Sequence, residues 1–146
     1  MPIVLVGMPG SGKTKIGMSL ARFMGRVFYD SDEIIAEQTG STIGEIFREK
    51  GEGEFREAEH RVISHLLNRR AAVISVGGGA LTHEGTQKAI AQNSVSVFLL
   101  CKIGELASRV KKDAVRPLLE YGKAVSYTHL RAHETSAPVL CRRMLE

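Results

Sequence analysis

Eight residues near the start of the chain, Gly7-Met8-Pro9-Gly10-Ser11-Gly12-Lys13-Thr14, carry the clearest chemistry. Their spacing fits G-x-x-x-x-G-K-[ST], the phosphate-cradling P-loop pattern. Glycines at Gly7, Gly10 and Gly12 let the backbone fold tightly, so that successive N–H groups face one centre. Such a nest, opening onto a helix N-terminus, attracts phosphate oxygens. Gly10, Ser11, Gly12, Lys13 and Thr14 are therefore the expected nucleotide-phosphate contacts. Lys13 is expected to reach the β- and γ-phosphates and the Thr14 hydroxyl to hold Mg²⁺.

Two acids, Asp30 and Asp32, follow the short apolar run Val27-Phe28-Tyr29. Ligands of parallel α/β sheets sit beyond the carboxyl ends of the strands, which brings both acids near the phosphates. A phosphoryl-transfer site needs a carboxylate in the Mg²⁺ shell and a group to accept the proton of the attacking hydroxyl. Asp30 suits the first task and Asp32 the second. A competing reading makes Asp30 and Glu33 a helix-capping pair. The segment Ala72–Val76 carries no acid, although many P-loop proteins hold their Mg²⁺ aspartate at such a place.

Arg56 lies in Glu54-Phe55-Arg56-Glu57-Ala58-Glu59. One reading is a solvated arginine paired with Glu59 or His60 neighbours, worth about 0.3 kcal/mol. The other is a bidentate grip on a substrate carboxylate, for which the guanidinium fork is shaped. Gly77-Gly78-Gly79 is either a plain turn or a place where backbone N–H groups approach a ligand. Arg109 and Arg116 flank a lysine-rich stretch that reads as a basic helix end or as a mobile lid over the nucleotide. His60, His65 and His83 have no metal-ligand spacing.

Positioning these groups requires alternating strands and helices. The pattern predicts strands over Ile3–Gly7, 27–29, 72–76 and 95–100. Helices are expected over 13–24, 32–38, 42–50, 54–68, 84–92 and 103–111, the first ending at Gly25 as a C′ residue. Within 13–24, Ile16, Leu20 and Phe23/Met24 recur at helical spacing. Arg116-Pro117 breaks the pattern. The fold class is α/β, a three-layer parallel sheet with helices on both faces.

The 146 residues suit one domain with a real core. Apolar content of 43% and charged content of 25% are ordinary for a globular protein. No apolar run is long enough to span a membrane, and the start lacks the charged leader of a signal peptide. Two cysteines, Cys101 and Cys141, are too few for a disulfide framework and suit a cytoplasmic protein. The net charge of +4 fits an anionic small substrate, and with no Trp and few aromatics a base-stacking surface for nucleic acid has little support.

Five motifs in order make the set specific: GMPGSGKT at 7–14, FYDSD at 28–32, EFR at 54–56, GGGA at 77–80 and VRPLL at 115–119. Together they resemble the shikimate kinase family, from Pro2 to about Lys123. The resemblance implies a nucleoside-monophosphate-kinase-like fold, ATP and Mg²⁺, and transfer of the γ-phosphate to the 3-hydroxyl of shikimate by a monomer. It assigns Asp32 to the substrate hydroxyls, Arg56 to the carboxylate, and Gly78 and Gly79 to the same pocket. It also gives Asp30 a Mg²⁺-bound water, Arg116 the role of lid arginine, and residues 31–60 the substrate-binding region.

The family pattern stops near Lys123, within the lid expected over 109–124. A second carboxylate-binding arginine, a fifth strand, an adenine loop and a last helix have no counterpart in the remaining residues. Residues 125–135, VSYTHLRAHET, resemble a translated sequencing-adaptor segment instead. The expected organisation is a kinase domain over 1–124 and a non-native tail over 125–146. Two alternatives stand beside the kinase: another small-metabolite kinase such as gluconate kinase, and a nucleotide-binding fragment without turnover.

Overall fold

In the computed structural model, residues 1–100 are described. Four strands form one sheet: β1 (Ile3–Gly7), β2 (Val27–Asp30), β3 (Ala72–Ser75) and β4 (Val95–Leu99). All pairings are parallel, in the order β2-β3-β1-β4. Each strand is joined to the next through helix: α1 (Lys13–Phe23), then α2 (Ser31–Thr39) and α3 (Ile43–Leu67), then a 3₁₀ turn (Ala80–Thr82) and α4 (Glu84–Asn93). The expected α/β layering with a parallel sheet is therefore present. The expected helix over 103–111, the lid over 109–124, Arg109, Arg116 and the 125–146 tail lie outside the described residues.

Central strands β1 and β3 are closed on both faces: Val4, Leu5, Val73 and Ile74 have no exposed surface. A strand buried on both faces reads as an apolar run rather than an alternation, which is why both were legible. Ile35, Ile46, Phe55, Ile63, Leu66 and Ile90 complete the larger core on one face. That core fixes α2, α3 and α4 against the strand ends that carry the polar groups.

Helix α1 meets the sheet through its small residues. Its buried positions are Lys13, Gly17 and Ala21, one turn apart. A methyl at Gly17 would lie 2.3 Å from Phe28 Cε2, so glycine is what lets α1 sit directly on β2. Leu20 packs against the same small core as Ala21, but Ile16 and Met24 are more than a third exposed, and Phe23 is 90% exposed. Helix periodicity was right, but the face that packs closest is the small one, because close approach outweighs side-chain size here. Gly25 does close α1, with φ of 61°. Arg26 N–H donates to Ala21 O at 2.8 Å and Gly25 N–H to Arg22 O at 3.3 Å, a Schellman pair.

The two helices expected over 42–50 and 54–68 are present within Ile43–Leu67 and meet at a kink, where Gly51 alone has non-helical torsions (φ 82°, ψ 171°). Gly53 takes no part in the break. One positive-φ residue separates the two helices, and only glycine takes that φ without strain. The N-terminus is fixed by a capping box between Thr42 and Glu45.

Candidate active site

The P-loop bridges β1 and α1. Gly10 and Gly12 both adopt positive φ, 82° and 92°, as a tight nest demands. Lys13 is buried, and its Nζ donates to Gly7 O at 2.8 Å and Met8 O at 3.0 Å. The ammonium thus lies folded over the loop whose N–H groups would face phosphate. Ser11 Oγ is buried with no hydrogen-bond partner among the described residues. No side chain caps the N-terminus of α1. An orphan hydroxyl beside an uncapped helix start fits a bound anion.

Asp30 performs the capping task, with Asp32 rather than Glu33 as its partner. It is the N-cap of α2, and its Oδ1 accepts from Asp32 N–H at 3.0 Å. Its other oxygen, Oδ2, accepts from Thr14 Oγ1 at 3.2 Å. The end of β2 is thereby tied to the first turn of α1. A hydroxyl and a carboxylate in contact are the donor set Mg²⁺ takes when it keeps most of its waters. Among the described residues, no group of three or more His, Cys, Asp or Glu side chains could enclose a metal ion.

Arg56 is not a solvated surface residue. It is 8% exposed, and its Nη1 pairs with Glu59 Oε2 at 2.5 Å. Its guanidinium carbon also stands 5.1 Å from the Phe55 ring centre and 5.8 Å from that of Phe47. Glu52 Oε1 lies 3.6 Å from Arg56 Nε, from a largely exposed side chain. The fork is therefore held on two sides by one buried acid and two aromatic faces.

Glu59 is the residue that the sequence reading passed over, having entered only as a surface neighbour of Arg56. It is 1% exposed. Burial raises its carboxyl from 4.5 to about 7, against the lowering influence of Arg56 and with further raising by Asp32. Its signal in the sequence was the spacing of three from Arg56 on a helix that must also bury Phe55, Val62 and Ile63.

Gly77-Gly78-Gly79 gathers these pieces. A methyl at Gly77 would lie 2.8 Å from Glu59 Oε1 and 3.1 Å from Asp32 Oδ1. At Gly78 it would lie 2.9 Å from Pro9 Cδ of the P-loop, and at Gly79 only 2.0 Å from Arg56 Nη2. Each glycine thus clears room for a different component. The loop is held from behind: Thr82 Oγ1 donates to Gly79 O at 2.7 Å, and His83 Nδ1 accepts from Thr86 N–H at 3.2 Å to cap α4. His83 also meets Glu57 at 3.1 Å, and His60 meets Thr86 Oγ1 at 3.1 Å, linking α4 to α3. His60 and His83 therefore serve packing between helices, while His65 takes no part in the cluster.

The structure brings together Lys13, Thr14, Asp30, Asp32, Arg56, Gly78 and Gly79 at the carboxyl ends of β1, β2 and β3. A cradle for phosphate lies on one side of the Gly77–Gly79 loop and a buried, charged pocket on the other.

Comparison with known proteins agrees with this arrangement. The family model described as Shikimate kinase matches residues 9–139, past the point near Lys123 where the five motifs end. Shikimate kinase of Cereibacter sphaeroides is 45% identical over 117 residues, covering 80% of this chain and 59% of that protein. A shikimate kinase structure from Acinetobacter baumannii, in complex with shikimate, superposes with a TM-score of 0.84 at 35% identity, covering 97% of this chain and 78% of that one. A gluconokinase from Sinorhizobium meliloti, 20% identical with a TM-score of 0.52, shares the fold alone. The chain spans less than two thirds of the length of its curated relatives from Cereibacter, Bartonella and Chromobacterium. With the motifs, the parallel sheet and the model match in agreement, the chain belongs to the shikimate kinase family.

Proposed function

We propose that this chain transfers the γ-phosphate of ATP to the 3-hydroxyl of shikimate, giving shikimate 3-phosphate. The observation that carries the reading is the convergence of Gly77–Gly79 on Arg56, Asp32 and the P-loop. Magnesium-bound ATP supplies the transferable phosphoryl group and neutralises its charge. The nest from Gly10 to Gly12 and the Ser11 hydroxyl cradle the phosphates, while Lys13 moves from the Gly7 and Met8 carbonyls to the β/γ-oxygens. Thr14 and Asp30 hold the cation, Asp30 through water.

Arg56 grips the substrate carboxylate, and the N–H groups of Gly78 and Gly79 line the same pocket. Asp32 accepts the proton of the attacking hydroxyl. Arg109 and Arg116 close over the nucleotide from the lid, with Arg116 at the transferring phosphate. The chain acts as a monomer on small molecules in a reducing cytoplasm, a reading supported by its two cysteines. Among the described residues no helix is long and apolar enough to cross a membrane.

A second reading, a nucleotide-binding piece without turnover, is favoured by one fact: the chain covers 59% of its Cereibacter relative. In that case residues 125–146 are foreign to the fold and the lid is incomplete. A coupled ADP-release assay with shikimate and with gluconate tests both readings. It is run on the 146-residue chain and on a version whose residues 125–146 are replaced by the C-terminal part of the Cereibacter protein. Turnover of shikimate but not gluconate supports the kinase reading. Turnover by the extended version alone assigns this chain to the second reading. No shikimate turnover by either version contradicts the proposed substrate.

A further inference from the structure

Among the described residues Arg56 is the cation paired with Glu59, and its Nη1 is already engaged there at 2.5 Å. The Gly77 gap is bordered by Glu59 Oε1 and by Asp32 Oδ1, so two carboxylates face the same small space. The titratable and charged groups around Glu59 are Asp32 from α2, Arg56 from α3 with Glu52 behind it, and His83 from the turn before α4. Glu59 is 1% exposed, whereas the Glu52 side chain is 59% exposed and can be screened by solvent. Glu59 Oε1 has no hydrogen-bond partner among the described residues.

A substrate carboxylate gripped by Arg56 becomes a third anion beside one guanidinium. Two buried negative charges cannot both lean on a shared counter-ion at low dielectric without a large penalty. Asp32 must stay ionised to accept a hydroxyl proton. Glu59 has a bare oxygen, no such task and almost no solvent. We propose that Glu59 is a positioning residue that takes up one proton from solvent at Oε1 when the substrate carboxylate docks on Arg56. The charged Glu59 holds the fork ready in the empty site, and the neutral acid releases part of it to the substrate. Binding and proton uptake are then one event, and affinity falls as pH rises. This inference rests on shikimate being the carboxylate substrate.

Two measurements on the 146-residue chain test it. The first is a ¹³C NMR titration of the Glu59 carboxyl without ligand, assigned by its loss in Glu59→Gln. The expected midpoint lies near neutral pH; a midpoint near 4.5 overturns the proposal whether or not shikimate binds. The second is calorimetry of shikimate binding in phosphate and Tris buffers, whose ionisation heats differ. Expected is uptake approaching one proton per shikimate at about pH 8, with affinity falling about tenfold per pH unit above neutrality. Glu59→Gln is expected to bind with no proton uptake and a flat pH profile. Shikimate binding by the unaltered chain without proton uptake overturns this inference and leaves the substrate reading intact. No shikimate binding at any pH overturns the substrate reading and this inference with it.

Discussion

The two halves of the site are built on opposite physical plans. The phosphate cradle is local: eight consecutive residues, positive φ at Gly10 and Gly12, and backbone N–H groups supply its chemistry. The proposed substrate side is assembled from afar, with Asp32, Arg56, Glu59 and Gly77–Gly79 arriving on three separate segments. The cradle's charge comes from peptide dipoles and one lysine resting on carbonyls. The pocket's charge comes from a buried ion pair among aromatic rings. A backbone site tolerates changes of side chain around it, whereas a buried pair becomes costly as soon as one partner is removed. Mutations should therefore divide cleanly between the halves.

The largest effect is expected at the cradle. Lys13→Ala removes the only P-loop ammonium and should abolish measurable phosphoryl transfer in the version carrying the relative's C-terminal part. Its fold should survive, since the lysine serves ligand charge. Wild-type turnover by this variant, in the same coupled assay, would break the assignment of the cradle.

On the pocket side, Asp32→Asn should lower kcat by about 10²–10⁴-fold, the range of general base catalysis. ATP affinity should hold, as read by fluorescence titration with a nucleotide analogue. A normal kcat would reduce Asp32 to a first-turn helix residue. Gly79→Ala comes next: its methyl would sit 2.0 Å from Arg56 Nη2. The fork must swing aside, so shikimate binding should weaken about tenfold or more while nucleotide binding stays, a split that calorimetry with each ligand reads directly. Equal loss of both ligands would mean that the two halves are not separable.

A pH dependence sharpens the contrast further. The Glu59 carboxyl is raised from 4.5 to about 7 in the fold, so the folded state binds the extra proton between those values. Stability from this group is complete below about pH 4.5 and is lost as pH climbs through about 7, by about 3 kcal/mol at most. Glu59→Gln does not titrate. Its stability relative to the unaltered chain should therefore improve steadily from pH 5 to pH 8 in urea denaturation. A difference independent of pH would contradict the raised carboxyl.

Legibility in the sequence follows the same division. The cradle, β1 and β3 could be read because their signals are contiguous: a glycine pattern and apolar runs. The break between the helices over 42–50 and 54–68 was legible from Gly51 and Gly53, although only Gly51 takes a positive φ. The close seat of α1 on β2 could not be read, because Gly17 contributes nothing to an apolar stripe but decides how near Phe28 can come. Asp30 offered two readings; one oxygen is engaged in the cap of α2 and the other meets the Thr14 hydroxyl. Glu59 looked like a surface pair because burial is a property of the packed helix, not of the tripeptide around it. Arg56 was identified by motif, but its depth and its aromatic neighbours emerged only when α3 was laid against the sheet.

On the proposed reading the buried guanidinium of Arg56 is a carboxylate receptor rather than a structural ion pair. Calorimetry of shikimate binding to the unaltered chain and to Arg56→Lys tests it most directly. Lysine keeps the charge and loses the fork. The account predicts that shikimate affinity falls at least tenfold, while binding of a non-hydrolysable ATP analogue to the same variant is unchanged. Shikimate affinity that survives the exchange would contradict it, and Arg56 would then serve only to hold Glu59.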